Sequence, residues 1–299
     1  MDVSVIIVNY NTRDLVSDCI DSIIKNTRDV SFEIIVVDND SKDGSVDHIL
    51  NLFPQVRIFP LNENIGFGKA NNIGVKHAIG DFIFFLNSDT VLLNDAISIL
   101  ANYLKINSSV GLCGGQLYDK NRKPTVSYLE YPNFCSLLSM IIMGKISNKI
   151  LPIYPTKKSF AISGADMMLR RSFIDRFGAF DPDFFMYYED LELSYRVQRN
   201  GLKIHLVPEA HILHFHDMSP KIKGDQISDL DLCTIQSRYF YIGKVKGLFV
   251  MNILLFLHLM KSKVAIFYYL IHKNRLKVVN WMKIKQSLYE VRHIIKKKK

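Results

Sequence analysis

The 299-residue sequence has only four cysteines and a single tryptophan. Cys19, Cys113, Cys135 and Cys233 are scattered, with no CxxC pair and no metal-binding spacing. There is thus no disulfide framework, and the pattern suits a reducing compartment. A basic leader is also missing: Met1-Asp2-Val3-Ser4 enters an apolar run directly. No secretory signal is expected, and the catalytic part is expected in the cytoplasm. Two phosphate-binding signatures are absent as well. The turn after the first apolar run, Asn9-Tyr10-Asn11, has no glycine, and the later Gly66-Phe67-Gly68 lacks a third one. A dinucleotide fold needs G-x-G-x-x-G in that first turn, where backbone must approach pyrophosphate. No G-x-x-x-x-G-K-[ST] occurs either. What remains is a nucleotide held by side chains at several strand ends.

Charge is unevenly placed. The net +9 comes from the tail, where residues 241–299 hold 14 Lys/Arg against Glu290 alone. The first 240 residues hold 24 Lys/Arg against 28 Asp/Glu. The basic pI therefore gives no argument for nucleic acid as a partner of the main domain, and none is expected. With 48% hydrophobic and 22% charged residues, the length suits one large domain, alone or with an appendage.

Apolar runs at Val3 to Val8, Glu33 to Val37, Val56 to Phe59 and Phe82 to Leu86 read as strands. Helical spacing follows the first (Leu15, Cys19, Ile20, Ile23, Ile24), with Asn11 or Thr12 as cap. Another helix is expected after Gly68, reaching about Ala78. Repeated strand–helix alternation predicts an α/β, mostly parallel, doubly wound sheet. Beyond it, a helix is expected from Leu93-Asn94 and a strand over Val110 to Leu117, broken by Gly114-Gly115. Leu137 to Met143 reads either as a core helix or as a loop touching lipid or acceptor.

Two stretches carry chemistry. Asn87-Ser88-Asp89 ends a buried strand, where ligands of open α/β sheets sit. A carboxylate there suits a divalent cation carrying phosphate oxygens. The same three residues would also serve as a cap for a following helix. The second stretch begins with Ser163 to Arg171, a strand whose small residues leave room for an approach. It continues to Phe184-Phe185-Met186-Tyr187-Tyr188-Glu189-Asp190, with a helix from Glu189 to Asn200 ended by Gly201. Acids in a first turn are explained by the helix dipole alone. The aromatics before them are able to wall off solvent and stack on sugar faces. Farther on, His214 and His216 alternate onto one strand face and can present imidazole to a metal, although a lone histidine is more often structural. From Ser219, Pro220 to Gly224 form a loop able to order over a bound donor.

Val8-Asn9-Tyr10-Asn11, Val36-Val37-Asp38-Asn39-Asp40-Ser41, Asn64-x-Gly66-Phe67-Gly68-x-Ala70-Asn71-Asn72 and Leu86-Asn87-Ser88-Asp89 occur in that order. Together they resemble the family 2 glycosyltransferases of GT-A fold, and most of all the rhamnosyltransferase branch, over about residues 3 to 220. The resemblance implies donor binding by Asn9, Asn11, Asp38, Asn39, Lys69, Asn71, Asn87 and Ser88. Asp38 would bond the pyrimidine ring. Asn87-Ser88-Asp89 stands at the family's DXD motif, with Asn87 replacing the first aspartate. That leaves Asp89 as the motif's carboxylate for Mg²⁺ or Mn²⁺, with His214 as a completing ligand. Lys69 reads equally as a solvated helix charge. In the Glu189-Asp190 pair the resemblance makes Asp190 the catalytic base. One base opposite one leaving-group clamp implies in-line displacement with inversion.

The tail, from Gly247 to Met260, is apolar but only about 14 residues long before Lys261-Ser262-Lys263, against the ~20 that a span needs. With the lysines up to Lys299 it reads as an interfacial basic helix pair on an anionic membrane surface, with a re-entrant or ordinary helical hairpin as alternatives. The expected organisation is a GT-A domain over 1–240, with a nucleotide-sugar half (1–118) and an acceptor and catalytic half (119–240), followed by a basic helical tail (241–299). The expected function is sugar transfer from a nucleotide-diphosphate donor, dTDP-L-rhamnose first and UDP-hexoses open. The acceptor would be a lipid-linked or surface glycan, at the inner face of the membrane. The rival reading is a non-catalytic, membrane-associated glycan- or nucleotide-binding partner that keeps the fold.

Overall fold

The computed structural model describes residues 1–143, 152–155, 159–215 and 226–297. It divides into two units, one of Met1–Tyr131, Leu151–Phe185 and Glu189–Met218, the other of Pro132–Ile150, Met186–Tyr188 and Ser219–Lys299. In chain order the elements are β1 (Val3–Asn9), α1 (Arg13–Asn26), β2 (Phe32–Asp38), α2 (Ser45–Leu52), β3 (Arg57–Pro60), α3 (Phe67–His77) and β4 (Phe82–Asn87). Then come β5 (Thr90–Leu92), α4 (Ala96–Ile106), β6 (Val110–Tyr118), β7 (Tyr128–Leu129), α5 (Phe134–Met143), β8 (Ala161–Ile162) and β9 (Asp166–Arg170). The chain ends with α6 (Arg171–Phe177), α7 (Glu189–Arg199), β10 (Lys203–His214), α8 (Asp229–Val245), α9 (Leu248–Ile271) and α10 (Arg275–Lys297).

In the first unit eight strands form one sheet in the order β3-β2-β1-β4-β9-β6-β10-β5. The first four neighbours run parallel, β9 is antiparallel to both β4 and β6, and β5 is antiparallel to β10. The continuous apolar runs are explained by burial on both faces. Val3, Val5, Ile7 and Phe84 face a core with α1, α2 and α4, whereas Ile6, Ile35, Ile83 and Phe85 face one with α3, α6 and α7. Helices thus cover both sides, the doubly wound arrangement expected.

Two local expectations are corrected. Gly114-Gly115 does not break its strand, because β6 runs unbroken to Tyr118. These glycines answer to packing: a Cβ on Gly114 would lie 2.6 Å from the Asp166 carbonyl oxygen, and one on Gly115 2.6 Å from that of Ala210. Likewise α4 starts at Ala96, capped by Asp95, rather than at Leu93-Asn94. Those two residues are taken by β10, with Leu93 N–H donating to His211 O (2.9 Å) and Asn94 Nδ2 to Glu209 O (2.7 Å). Several basic residues are structural. Arg170 donates to the carbonyls of Leu104 and Asn107 at the end of α4, and Arg196 to those of Phe177 and Gly178 at the end of α6. Cations there oppose the negative ends of the helix dipoles.

The second unit is helical. α8 opens with a capping box in which Ser228 and Asp231 each accept the other's backbone N–H. Lys261-Ser262-Lys263 interrupts the apolar run but not the helix, for α9 continues through it to 24 residues. Ser262 bonds back to His258 O (2.8 Å), and Lys261 donates to Ile141 O at the end of α5 (2.8 Å) while lying 5.1 Å from the Trp281 ring centroid. With Ser262 and Lys261 so bonded and Lys263 exposed to solvent, the helix persists. α5 is a helix with Leu137 and Ile141 buried and Ile142 and Met143 exposed.

Gly114→Ala is expected to destabilise the first unit by about 1–3 kcal/mol, because backbone rather than a flexible side-chain end opposes the new methyl. Urea denaturation of the variant against wild type measures it. An unchanged midpoint would show that β6 and β9 can separate without cost.

Candidate active site

The site is built from strand ends. In register, Asn9 faces Asp38 across β1 and β2, and Val8 faces Asn87 across β1 and β4. Three polar residues therefore leave the sheet at one edge. Asn9 Nδ2 donates to Asp38 Oδ2 (2.7 Å) and to Ser41 Oγ (3.1 Å), while Ser41 N–H donates to Asp38 Oδ1 (2.9 Å). Thr12 stands at the cap of α1, yet its hydroxyl donates to Asn9 Oδ1 (2.6 Å) and lies 3.0 Å from the Ser88 hydroxyl. Asn11 adopts a left-handed φ of +53°, which asparagine tolerates. Its Oδ1 accepts from Lys42 N–H (2.7 Å). Asn9, Asn11, Asp38 and Ser88 thus join one hydrogen-bonded cluster.

Asn39 belongs to the adjoining turn, where its Nδ2 donates to Asn64 Oδ1 (2.9 Å) and its Oδ1 accepts from Ile65 N–H (3.0 Å). Asn71 points inward instead. It is buried and its Nδ2 donates to Phe67 O within α3 (3.1 Å). Lys69 is exposed on the same helix. Neither is hydrogen-bonded into the strand-end cluster. Asn72 has a scaffolding role, exchanging two bonds with the backbone of Phe180 (2.7 and 3.0 Å).

The capping reading of Asn87-Ser88-Asp89 fails. The short strand β5 follows rather than a helix, and α4 takes Asp95 as its cap. Asn87 N–H donates to Ala165 O (3.0 Å). Asp89 is nearly buried, with Oδ1 3.1 Å from His214 Nε2, because Thr90 on β5 pairs with His214 on β10. His216 and the loop from Ser219 to Gly224 lie outside the described residues.

The Glu189-Asp190 pair opens α7. Asp190 accepts from Gly164 N–H (3.0 Å, to Oδ2) and from its neighbour Leu191 N–H (2.8 Å, to Oδ1). Gly164 gives close access: a Cβ on it would stand a tight 3.3 Å from Asp190 Oδ2. Burial pushes both carboxyl groups above their usual range, and for Glu189 the charge on Asp190 adds to burial. Glu189 Oε2 is buried with no hydrogen-bond partner among the described residues. Two N–H donors favour the ionised form at Asp190 and none do so at Glu189 Oε2. Of the pair, Glu189 is thus the one whose surroundings favour keeping a proton, while the two N–H donors at Asp190 work against its upward shift. Of the four aromatics before it, Phe184 is fully buried in the core, so the expected aromatic wall is not made by all four. Tyr187 and Tyr188 both take φ of +67°, a strained conformation for such side chains.

Thr12 and Ser41 were not legible as site residues, since each looked like an ordinary cap or turn residue. The signal available was only that both directly follow strand ends already rich in Asn and Asp. Asp166 is a further buried acid; burial holds its carboxyl well above the usual range, and it accepts from Gly115 N–H.

Residues 4–178 match the model of glycosyl transferase family 2, and the chain belongs to that family, in its rhamnosyltransferase-like part. It is 28% identical to the rhamnosyltransferase WbbL of Escherichia coli K12 over 230 residues, 72% of this chain and 84% of that one. The O-antigen chain rhamnosyltransferase RfbN of Salmonella typhimurium is 27% identical over 224 residues, 74% of this chain and 68% of that one. Among solved structures, GalNAc-T7 with UDP, GalNAc and Mn²⁺ superposes with a TM-score of 0.59 at 18% identity, covering 82% of this chain and 50% of that one. The fold is the GT-A glycosyltransferase fold.

Because free glutamate ionises near 4.5 while folded Glu189 keeps its proton higher, folding is penalised progressively as pH rises above the unfolded value. Glu189→Gln lacks that penalty. Thermal unfolding from about pH 5 to about pH 9 is expected to show the variant gaining on wild type as pH rises. Parallel curves would place the proton elsewhere.

Proposed function

We propose that the chain is an inverting glycosyltransferase that moves a sugar, L-rhamnose from dTDP-rhamnose as the leading donor, onto a lipid-linked or surface polysaccharide acceptor. The similarity to two rhamnosyltransferases supports the donor, and the O-antigen chain role of RfbN supports the acceptor class. Such an acceptor puts the reaction at the inner face of the membrane, with the protein peripheral on an anionic surface. The observation that carries the mechanism is the Asp190 carboxyl group, aimed by two backbone N–H groups at the start of α7.

The acceptor hydroxyl is a poor nucleophile. Asp190 takes its proton as the new glycosidic bond forms, a contribution of roughly 10²–10⁴-fold. Asn9, Asn11, Asp38, Asn39, Asn87 and Ser88, with Thr12 and Ser41, hold the nucleoside. Lys69 and Asn71 contribute from α3, Lys69 by its exposed charge and Asn71 by setting the first turn of that helix. Attack from one side and departure of the diphosphate on the other invert the anomeric centre, with no covalent enzyme intermediate.

Among the described residues no three His, Cys, Asp or Glu side chains converge. The protein offers a pair, Asp89 and His214, whose donor atoms already lie 3.1 Å apart. Such a pair fits a cation that takes most of its remaining ligands from diphosphate oxygens. Mg²⁺ or Mn²⁺ would be held by Asp89 and His214 and, when bound, would supply positive charge against the leaving diphosphate.

Asp190→Asn is expected to lower nucleotide release from dTDP-rhamnose in the presence of membrane extract by about 10²–10⁴-fold, while calorimetric donor binding stays within a factor of about two. Loss of binding together with turnover would assign Asp190 to the donor. Full turnover in the variant would favour the non-catalytic binding reading. In the same calorimetry, Mn²⁺ is expected to tighten donor binding in wild type but not in Asp89→Asn. Tightening that survives the substitution would remove Asp89 from the cation's ligands.

A further inference from the structure

Within the second unit, α9 has two apolar sides with different fates. Its inner side (Met251, Leu254, Leu255, Leu259) is buried, in a unit where α9 packs with α8, α10 and α5. Its outer side carries Phe249, Ile253, Phe256, Met260, Val264 and Phe267 at steps of three and four residues, which draws one stripe along a helix. Phe249, Phe256, Val264 and Phe267 are 77%, 61%, 65% and 67% exposed, far beyond what single surface apolar residues require an explanation for. Lys263, exposed between Met260 and Phe267, borders the stripe on one flank.

By length and composition α9 could cross a bilayer, since its 24 residues span about 36 Å. Its surroundings argue for a different placement. The buried His258 ring is 3.0 Å from Tyr239 OH on α8, and Lys261 is tied to the carbonyl end of α5. α10 carries Arg275, Lys277, Lys283, Lys285 and Arg292, and a helix so charged does not follow a partner into hydrocarbon. α9 therefore meets lipid along one stripe and not around its circumference. Lys263 is exposed on the flank of α9, Lys273 in the turn after it and Arg275 at the start of α10. An apolar stripe edged with cations is complementary to a bilayer surface bearing anionic headgroups.

We infer that α9 is an in-plane membrane anchor, lying along an anionic bilayer with Phe249 to Phe267 sunk to the headgroup–acyl boundary. The inference deepens the membrane reading given above, and it does not depend on which sugar is transferred. The stripe is the contact, and the basic residues of α9 and α10 supply its preference for anionic lipid.

Co-sedimentation of the full chain with phosphatidylcholine vesicles, with and without phosphatidylglycerol, tests the partner. Binding is expected to need phosphatidylglycerol, to weaken with salt, and to fall by at least about tenfold in Phe256→Glu and Phe267→Glu. Donor binding should be unchanged in both, which separates loss of the anchor from loss of the fold or of the transferase reading. Depth tests the orientation. In a Trp281→Phe background, Phe256→Trp and Phe267→Trp report positions about 16 Å apart along the helix. Brominated lipids should quench both equally, and from the shallow bromine position. A deep signal at position 256 with a shallow one at 267 would make α9 a spanning helix and overturn the inference. So would vesicle binding unaffected by the glutamates, or a dimer in light scattering that Phe267→Glu dissolves in the absence of lipid.

Discussion

The parallel register of β1 against β2 and β4 is the constraint on which the rest of the site depends. Hydrogen bonding between neighbouring strands aligns Asn9 with Asp38 and sets Asn87 one position along, so three polar side chains emerge together from a sheet buried on both faces. Nothing else in this part of the chain is free to choose their spacing. The Asn9–Asp38 bond, with Thr12 and Ser41 on either side, converts that alignment into a rigid edge. A side-chain amide fixed at both ends presents its surroundings to a ligand without first having to be ordered.

The two acidic centres are set by different physics. Asp89 reaches His214 because β5 turns back antiparallel against β10, a pairing between residues 124 positions apart at Thr90 and His214. Asp190 is set by a helix start and by the bare backbone of Gly164, whose missing side chain lets a carboxylate approach. Glu189 stands next to it with no donor among the described residues for its buried Oε2, so the two carboxyl groups sit in different surroundings. One centre is thus suited to charge on a diphosphate, the other to a proton on a hydroxyl.

The second unit shows how polar residues can sit in an apolar helix without ending it. Ser262 satisfies itself on the preceding turn, and Lys261 finds a helix carbonyl and the Trp281 ring. The inner side is thereby committed to the protein, which leaves the outer stripe uncovered among the described residues.

Much of the fold was legible from sequence because burial on both faces of a parallel sheet demands unbroken apolar runs, and these stand out between Val3 and Leu86. The polar residues at the ends of those runs were legible for the same reason, since the run must stop where the sheet does. Other features depended on partners remote in the chain. Gly114-Gly115 looked like a break and proved to be clearance for Asp166 and Ala210. Lys261-Ser262-Lys263 cut the apolar run short in sequence, yet the helix runs on, with Lys261 held by Ile141 O and the Trp281 ring. Asn71 shared a motif with the site yet turned into its own helix, and Thr12 looked like a cap yet served Asn9. By itself, then, the sequence determined which segments are strands and where polar chemistry must gather, because local hydrophobic pattern decides both. Only the tertiary structure decided which polar groups meet and which carboxyl groups are desolvated, because hydrogen bonding and burial depend on neighbours that the chain brings in from far away.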